Sequence, residues 1–140
     1  MLLNESLGYS ICRTARKIHQ QLSNMLAGYD ITAEQWAALR MLLERNGISQ
    51  KQLALLLDKD ANTTKAIADR LEKKGLICRS VNPADRRAFL LEPSEAGREL
   101  GRRLQPVDEA AEAVWKSLLE PEECEQLLYL LEKIERKTEP

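Results

Sequence analysis

Two helix caps, Ser49 and Asp60, constrain this 140-residue chain more than any other feature, because they leave room for one short helix and start a second at once. In ISQKQLALLLDKD, Ser49 caps and Gln52 answers three residues later, so each side chain satisfies the other residue's backbone amide. That helix is expected to end near Asp58 and to bury Leu53, Ala54, Leu56 and Leu57. In DANTTKAIADRLEKKGL, Asp60 is both a good cap and a charge that suits a helix N-terminus. Thr64, Ile67, Ala68 and Leu71 share the inner face, and Gly75 stops the helix. Asn62, Thr63, Lys65, Ala66, Asp69 and Arg70 are left outside. Two strand-like runs follow, Ile77–Val81 and Ala88–Glu92, around an Asn82-Pro83 turn that leads into an exposed Asp85-Arg86-Arg87 tip.

Longer helices flank this segment. Leu7, Ile11, Ala15, Ile18, Leu22, Met25 and Tyr29 recur in steps of three and four, one helical stripe that Gly28 should end. A second helix starts at the capping pair Thr32 and Gln35, lines one face with Trp36, Leu39, Leu42 and Leu43, and stops at Asn46-Gly47. Ser94 and Glu95 open a fifth helix that Pro106 should kink. Pro121 sits in the first turn of a sixth, whose stripe is Cys124, Leu127, Leu128, Leu131 and Ile134. The two ends of the chain carry more apolar stripe than one small domain can cover, so a homodimer is expected.

Net charge is −1, but it is unevenly spread. Residues 49–87 hold nine Lys/Arg against five Asp/Glu, and residues 94–140 hold seven against twelve. Local field, not net charge, steers a polyanion, so the basic middle can meet one. No run of about 18 uncharged apolar residues is present, and no membrane partner is expected. The N-terminus lacks a secretory pattern, and three scattered cysteines are no disulfide framework, which points to the cytoplasm. One histidine and ordinary serines suggest neither an enzyme nor a metal site, and no cofactor is expected.

Helix, short turn, helix and hairpin, in that order, is a helix-turn-helix with a wing. The second helix of that arrangement enters the major groove N-terminus first. Asn62 and Thr63 are short enough to reach base edges or phosphates, and Lys65 and Arg70 add charge. An arginine on a slender wing can enter a minor groove, and Asp85 can pair with it and set its direction.

RLEKKGLICR (Arg70–Arg79) and DRRAFLLEPSEAG (Asp85–Gly97) resemble, over essentially the whole chain, the MarR-type winged helix-turn-helix transcriptional regulators. The second stretch is similar to the family's Asp-x-Arg wing signature followed by Leu-Thr-x-x-Gly, with Pro93 and Ser94 where Leu and Thr are usual. The resemblance implies a mainly α fold with a small β-wing. Residues 1–30 and 94–140 are then dimerisation helices and 31–93 a DNA-binding lobe, within one domain. It implies a homodimer on a pseudo-palindromic double-stranded DNA operator, acting as a ligand-responsive repressor. The DNA-binding residues expected are Ser49, Gln50, Asn62, Thr63, Lys65, Ala66, Arg70, Asp85, Arg86 and Arg87. Arg87 fills the wing-arginine slot, and Ala66 stands where relatives often carry a basic residue. The family also implies a site for a small anionic aromatic ligand, expected here at Arg16, His19 and Trp36. Two other readings stay open: thiol-based redox sensing through Cys12, and a dimeric protein-interaction module that binds no DNA.

Overall fold

In the computed structural model, which describes residues 1–45 and 47–138, helices start where a side chain can close the first turn. Helix α1 (Leu7–Leu26) begins at Ser6, whose hydroxyl accepts from the Tyr9 amide at 3.3 Å. Helix α2 (Ala33–Leu43) begins at Thr32, with Thr32 and Gln35 bonded reciprocally at 3.1 and 3.3 Å. Helix α3 (Gln50–Leu57) shows the same exchange between Ser49 and Gln52, at 3.1 and 2.9 Å. Helix α4 (Ala61–Lys73) begins at Asp60, whose carboxylate accepts from the Thr63 amide at 2.6 Å. Ser94 caps α5 (Glu95–Lys116) by accepting from the Gly97 amide, and Pro121 is the first residue of α6 (Pro121–Lys137). Helix α5 continues through Pro106.

Some endings differ from the sequence expectation. Helix α1 stops at Leu26, and a single 3₁₀ turn, Ala27–Tyr29, follows before Asp30 takes the left-handed conformation at φ 55°. The stop is therefore Asp30, not Gly28; aspartate is among the few residues that visit this region readily. Asp58 plays the same part after α3 at φ 52°. Gly47 is left-handed after α2 as expected, while Asn46, paired with it in that expectation, lies outside the described residues.

Among the described residues the sheet has three strands, not two. Strand β1 (Ile48–Ser49), strand β2 (Ile77–Asn82) and strand β3 (Asp85–Pro93) lie in the order β1-β3-β2, all antiparallel. Ile48 pairs with Leu91, and Arg79 pairs with Leu91 from the other side. The hairpin turn is only Pro83-Ala84, so Asp85, Arg86 and Arg87 are the first residues of a strand rather than a loop tip. The register shifts between Val81, which pairs with Phe89, and Asn82, which pairs with Asp85, so Arg86, Arg87 and Ala88 lie within an irregular stretch of β3.

The chain divides into two compact units, Met1–Arg103 and the residues from Leu104 onward. In the first unit α2, α3 and α4 touch one another, β3 packs on α2 and α3, and β2 packs on α4. Its core holds Ile31, Trp36, Leu39, Leu42, Leu53, Ile67, Leu71, Ile77 and Leu91. The inner face of α4 is buried as its spacing predicts. Helix α3 departs from expectation: Leu53 alone is buried, Leu55 and Leu56 are exposed, and Ala54 and Leu57 are half-covered. Its apolar residues run without interruption from 53 to 57, so period gives no phase for the buried face.

Two glycines hold the frame. Gly75 ends α4 at φ 74°, a conformation that costs other residues about 1–2 kcal/mol. Gly97, on the first turn of α5, lies so close to Leu76 that a Cβ there would run into its carbonyl oxygen. Helix α1 buries only Leu26, and in the second unit α6 buries nothing. Leu127, Leu128, Tyr129, Leu130, Leu131 and Ile134 all stand exposed on α6.

Candidate nucleic-acid interface

The outer face of α4 carries Asn62, Thr63, Lys65, Ala66 and Arg70, all exposed. The opposite face is pinned to the core by Thr64, Ile67, Ala68 and Leu71. Thr64 is fully buried, and its hydroxyl donates to the Asp60 carbonyl at 2.9 Å, so the helix start is anchored from inside. Amides of the first turn, Thr63's foremost, hold the Asp60 carboxyl below the usual carboxylate range. A carboxylate thus already serves the amides that could have met an anion, and α4 offers its side chains instead. Ser49 and Gln50 have internal partners too. The Ser49 hydroxyl caps α3, and the Gln50 side-chain oxygen accepts from Arg79 at 3.4 Å.

On the wing, Asn82 accepts from the Ala84 amide at 2.9 Å and closes the turn. Asp85 then accepts from the Arg87 amide at 3.0 Å and lies 3.6 Å from the Arg87 guanidinium. Arg87 is 95% exposed, and Arg86 beside it is exposed as well. The pairing that the sequence suggested between Asp85 and an arginine is therefore present, with Arg87.

One group of residues was not picked out from sequence. Arg79, on β2, points inward and is only 18% exposed. Its guanidinium donates to Asp69 and to Glu72, both on α4, at 2.7 Å each. The second oxygen of Asp69 accepts from Lys65 at 2.9 Å. The hydrogen bonds from Lys65 and from Arg79 hold the Asp69 carboxyl below its ordinary range. Arg79 thus ties wing to helix and reaches α3 through Gln50. Asp69 and Glu72 are three apart on a helix and so share a face, the one available signal that an outside cation could bridge them. Lys74 makes a comparable tie at the other end of α4, donating to the Asp30 carbonyl at 2.6 Å and to Gln35 at 2.9 Å.

Of the three residues expected to hold a small ligand, Arg16 is exposed on α1, and His19 lies 2.8 Å from Glu34 on α2. The Glu34 carboxyl is held below its ordinary value by a backbone amide first and by His19 second. Trp36 is turned into the core, and its indole N–H has no hydrogen-bond partner among the described residues. A cavity of about 270 Å³ lies elsewhere, lined by Tyr29, Asp30, Lys74, Leu76, Ala96, Glu99, Leu100 and Arg103. Arg103 stacks over the Tyr29 ring, 5.4 Å from its centre. None of the three expected residues lines that cavity. Among the described residues no cluster of His, Cys, Asp and Glu could hold a metal ion, and no helix is long and apolar enough to cross a membrane.

The profile of the MarR family matches residues 31–89, the stretch from the start of α2 to the middle of β3. The HTH-type transcriptional regulator YdcH of Bacillus subtilis is 30% identical over 110 residues, which are 76% of this chain and 75% of that protein. A probable transcriptional regulator from Pseudomonas aeruginosa is 34% identical and superposes with a TM-score of 0.78, covering 95% of this chain and 99% of its own. MepR of S. aureus, solved in complex with DNA, is 26% identical with a TM-score of 0.89, covering 95% and 98%.

Proposed function

The chain belongs to the MarR family of transcriptional regulators, and from that premise we propose that it binds double-stranded DNA sequence-specifically, as a homodimeric repressor released by a small ligand. The observation that carries this reading is the pairing of two exposed elements on one rigid frame. The outer face of α4 is fixed by its buried inner face, and Arg87 stands clear of the protein with Asp85 at its side. Asn62, Thr63, Lys65, Ala66 and Arg70 face the major groove, while Arg87, flanked by Arg86, enters the adjacent minor groove. Ser49 and Gln50 open α3, where phosphate contact sets orientation rather than sequence. That the S. aureus relative is solved on DNA supports the same reading.

The dimer rests on the uncovered leucines of α6 and on the stripe of α1, including exposed Leu7. A soluble chain rarely leaves so much contiguous apolar side chain in water. Residues 1–30 and 94–140 are assigned to that assembly and 31–93 to the DNA-binding lobe. Two copies then present two heads to half-sites of a pseudo-palindrome. An anionic aromatic ligand is the effector class that the family resemblance favours, with Arg16 and His19 as the exposed candidate contacts.

Selection of bound duplexes from a random pool tests the reading. A recovered pseudo-palindrome, bound with an affinity that falls steeply as salt rises, is the expected result. Equal recovery of all sequences, or a monomer at micromolar concentration, overturns it. Repeating the selection with aromatic acids present tests the release step.

A further inference from the structure

We propose that Asp69 is a specificity-determining positioning residue, fastened to the wing by Arg79 and holding Lys65 back from indiscriminate contact with phosphate. The inference rests on the DNA-binding reading above.

Three features of the geometry carry it. First, Asp69 divides its oxygens: one accepts from Arg79 at 2.7 Å and the other from Lys65 at 2.9 Å. Second, Asp69 cannot swing away with Lys65. Arg79 is largely buried and is also bonded to Glu72 and to Gln50, so the carboxylate is fastened to α4, β2 and α3 together. Third, the pair is poorly explained as a helix stabiliser. On a helix the acid favours the N-terminal place and the base the C-terminal one; here Lys65 precedes Asp69.

The charges of Lys65, Asp69, Glu72 and Arg79 cancel within the group, so this part of α4 exerts little net pull on a polyanion. Phosphate is offered by every duplex, whereas base edges match at one. A free ammonium at position 65 strengthens binding everywhere. An ammonium directed along the helix by a fixed carboxylate contributes where the rest of α4 has already docked. Exchange of Lys65 from Asp69 to phosphate is then open to a correctly seated helix and disfavoured in a loose encounter.

The test is a double-mutant cycle on the full-length protein. It uses a duplex selected by the wild type and a scrambled duplex of equal composition. Asp69→Asn should bind the scrambled duplex more tightly and steepen the salt dependence by about one unit per subunit. The ratio of selected to scrambled affinity should fall by at least about fivefold. In a Lys65→Met background the same substitution should leave the ratio within about twofold, since nothing remains to be held back. Asp69→Glu, which keeps the charge, should retain the wild-type salt slope and guards against a fold-wide effect of the amide.

If the ratio falls equally in both backgrounds, Asp69 acts only through the position of the wing, and the inference is overturned. An unchanged ratio in Asp69→Asn overturns it too. A wild type that binds no duplex overturns the DNA-binding reading and this inference with it.

Discussion

Arg79 and Arg87 sit on the two strands of one hairpin and have opposite circumstances. Arg79 is held between two carboxylates and largely covered, while Arg87 is almost wholly in water with one carboxylate beside it. The first is part of the frame, and the second is free to meet another molecule. Lys74 and Lys65 belong with Arg79, each engaged within the chain, whereas Arg86 shares the exposure of Arg87. The basic excess of residues 49–87 therefore includes cations already engaged within the chain, Lys65 among them although it is exposed. A charge count measures the field of a segment; what a cation does depends on whether a carboxylate already holds it.

Four measurements break or sharpen that contrast. The largest effect is expected beneath Arg79 itself. Leu91 is its strand partner and is buried at 1% exposure, so Leu91→Ala should lower unfolding free energy by about 2–5 kcal/mol in a denaturant titration. Arg87→Ala should weaken binding to a selected duplex by about 1–3 kcal/mol and leave stability within about 0.5 kcal/mol. Arg79→Ala should do the reverse in kind, lowering stability by about 1–2 kcal/mol, a value discounted because its carboxylate partners are partly exposed. If Arg87→Ala proves the more destabilising of the two, the contrast fails.

The smallest effect is on the acid side. Glu34 has a lowered pKa in the folded protein, so the stability it contributes is fully present above its ordinary value near 4.3. That contribution is lost as pH falls through the lowered value. The pair with His19 is exposed to solvent, which keeps the contribution below about 1 kcal/mol. His19→Ala should shrink the difference in melting temperature between pH 6 and pH 3 by a small amount; an increase would reverse the sign of the argument.

How far each feature was legible depends on how local its cause is. The caps at Thr32, Ser49 and Asp60 were readable because their chemistry closes over three residues. The inner face of α4 was readable because polar residues interrupt it and set its phase. Helix α3 lacked such interruptions, and Leu56 was assigned inward although it is exposed. Strand β1 is two residues whose partners, Leu90 and Leu91, lie some forty positions onward, so nothing nearby announces it. Strand β3 reaches back beyond the expected Ala88 to Asp85, because Asp85 pairs with Asn82 across the turn, a contact that no local pattern in Asp85-Arg86-Arg87 announces. Asp69 and Glu72 looked like ordinary acids on a solvated helix until the fold brought Arg79 between them.

Gly97 sets the limits within which this molecule can diverge. With the α5 backbone laid against Leu76, and no room for even a methyl group, the stem of the wing and the end of α4 are locked in one alignment. Substitutions along the outward side of α4 can accumulate without disturbing that seating. On the DNA-binding reading proposed above, a lineage of such proteins can exchange one target sequence for another through single replacements on α4, while a change at Gly97 disturbs the frame for every target alike.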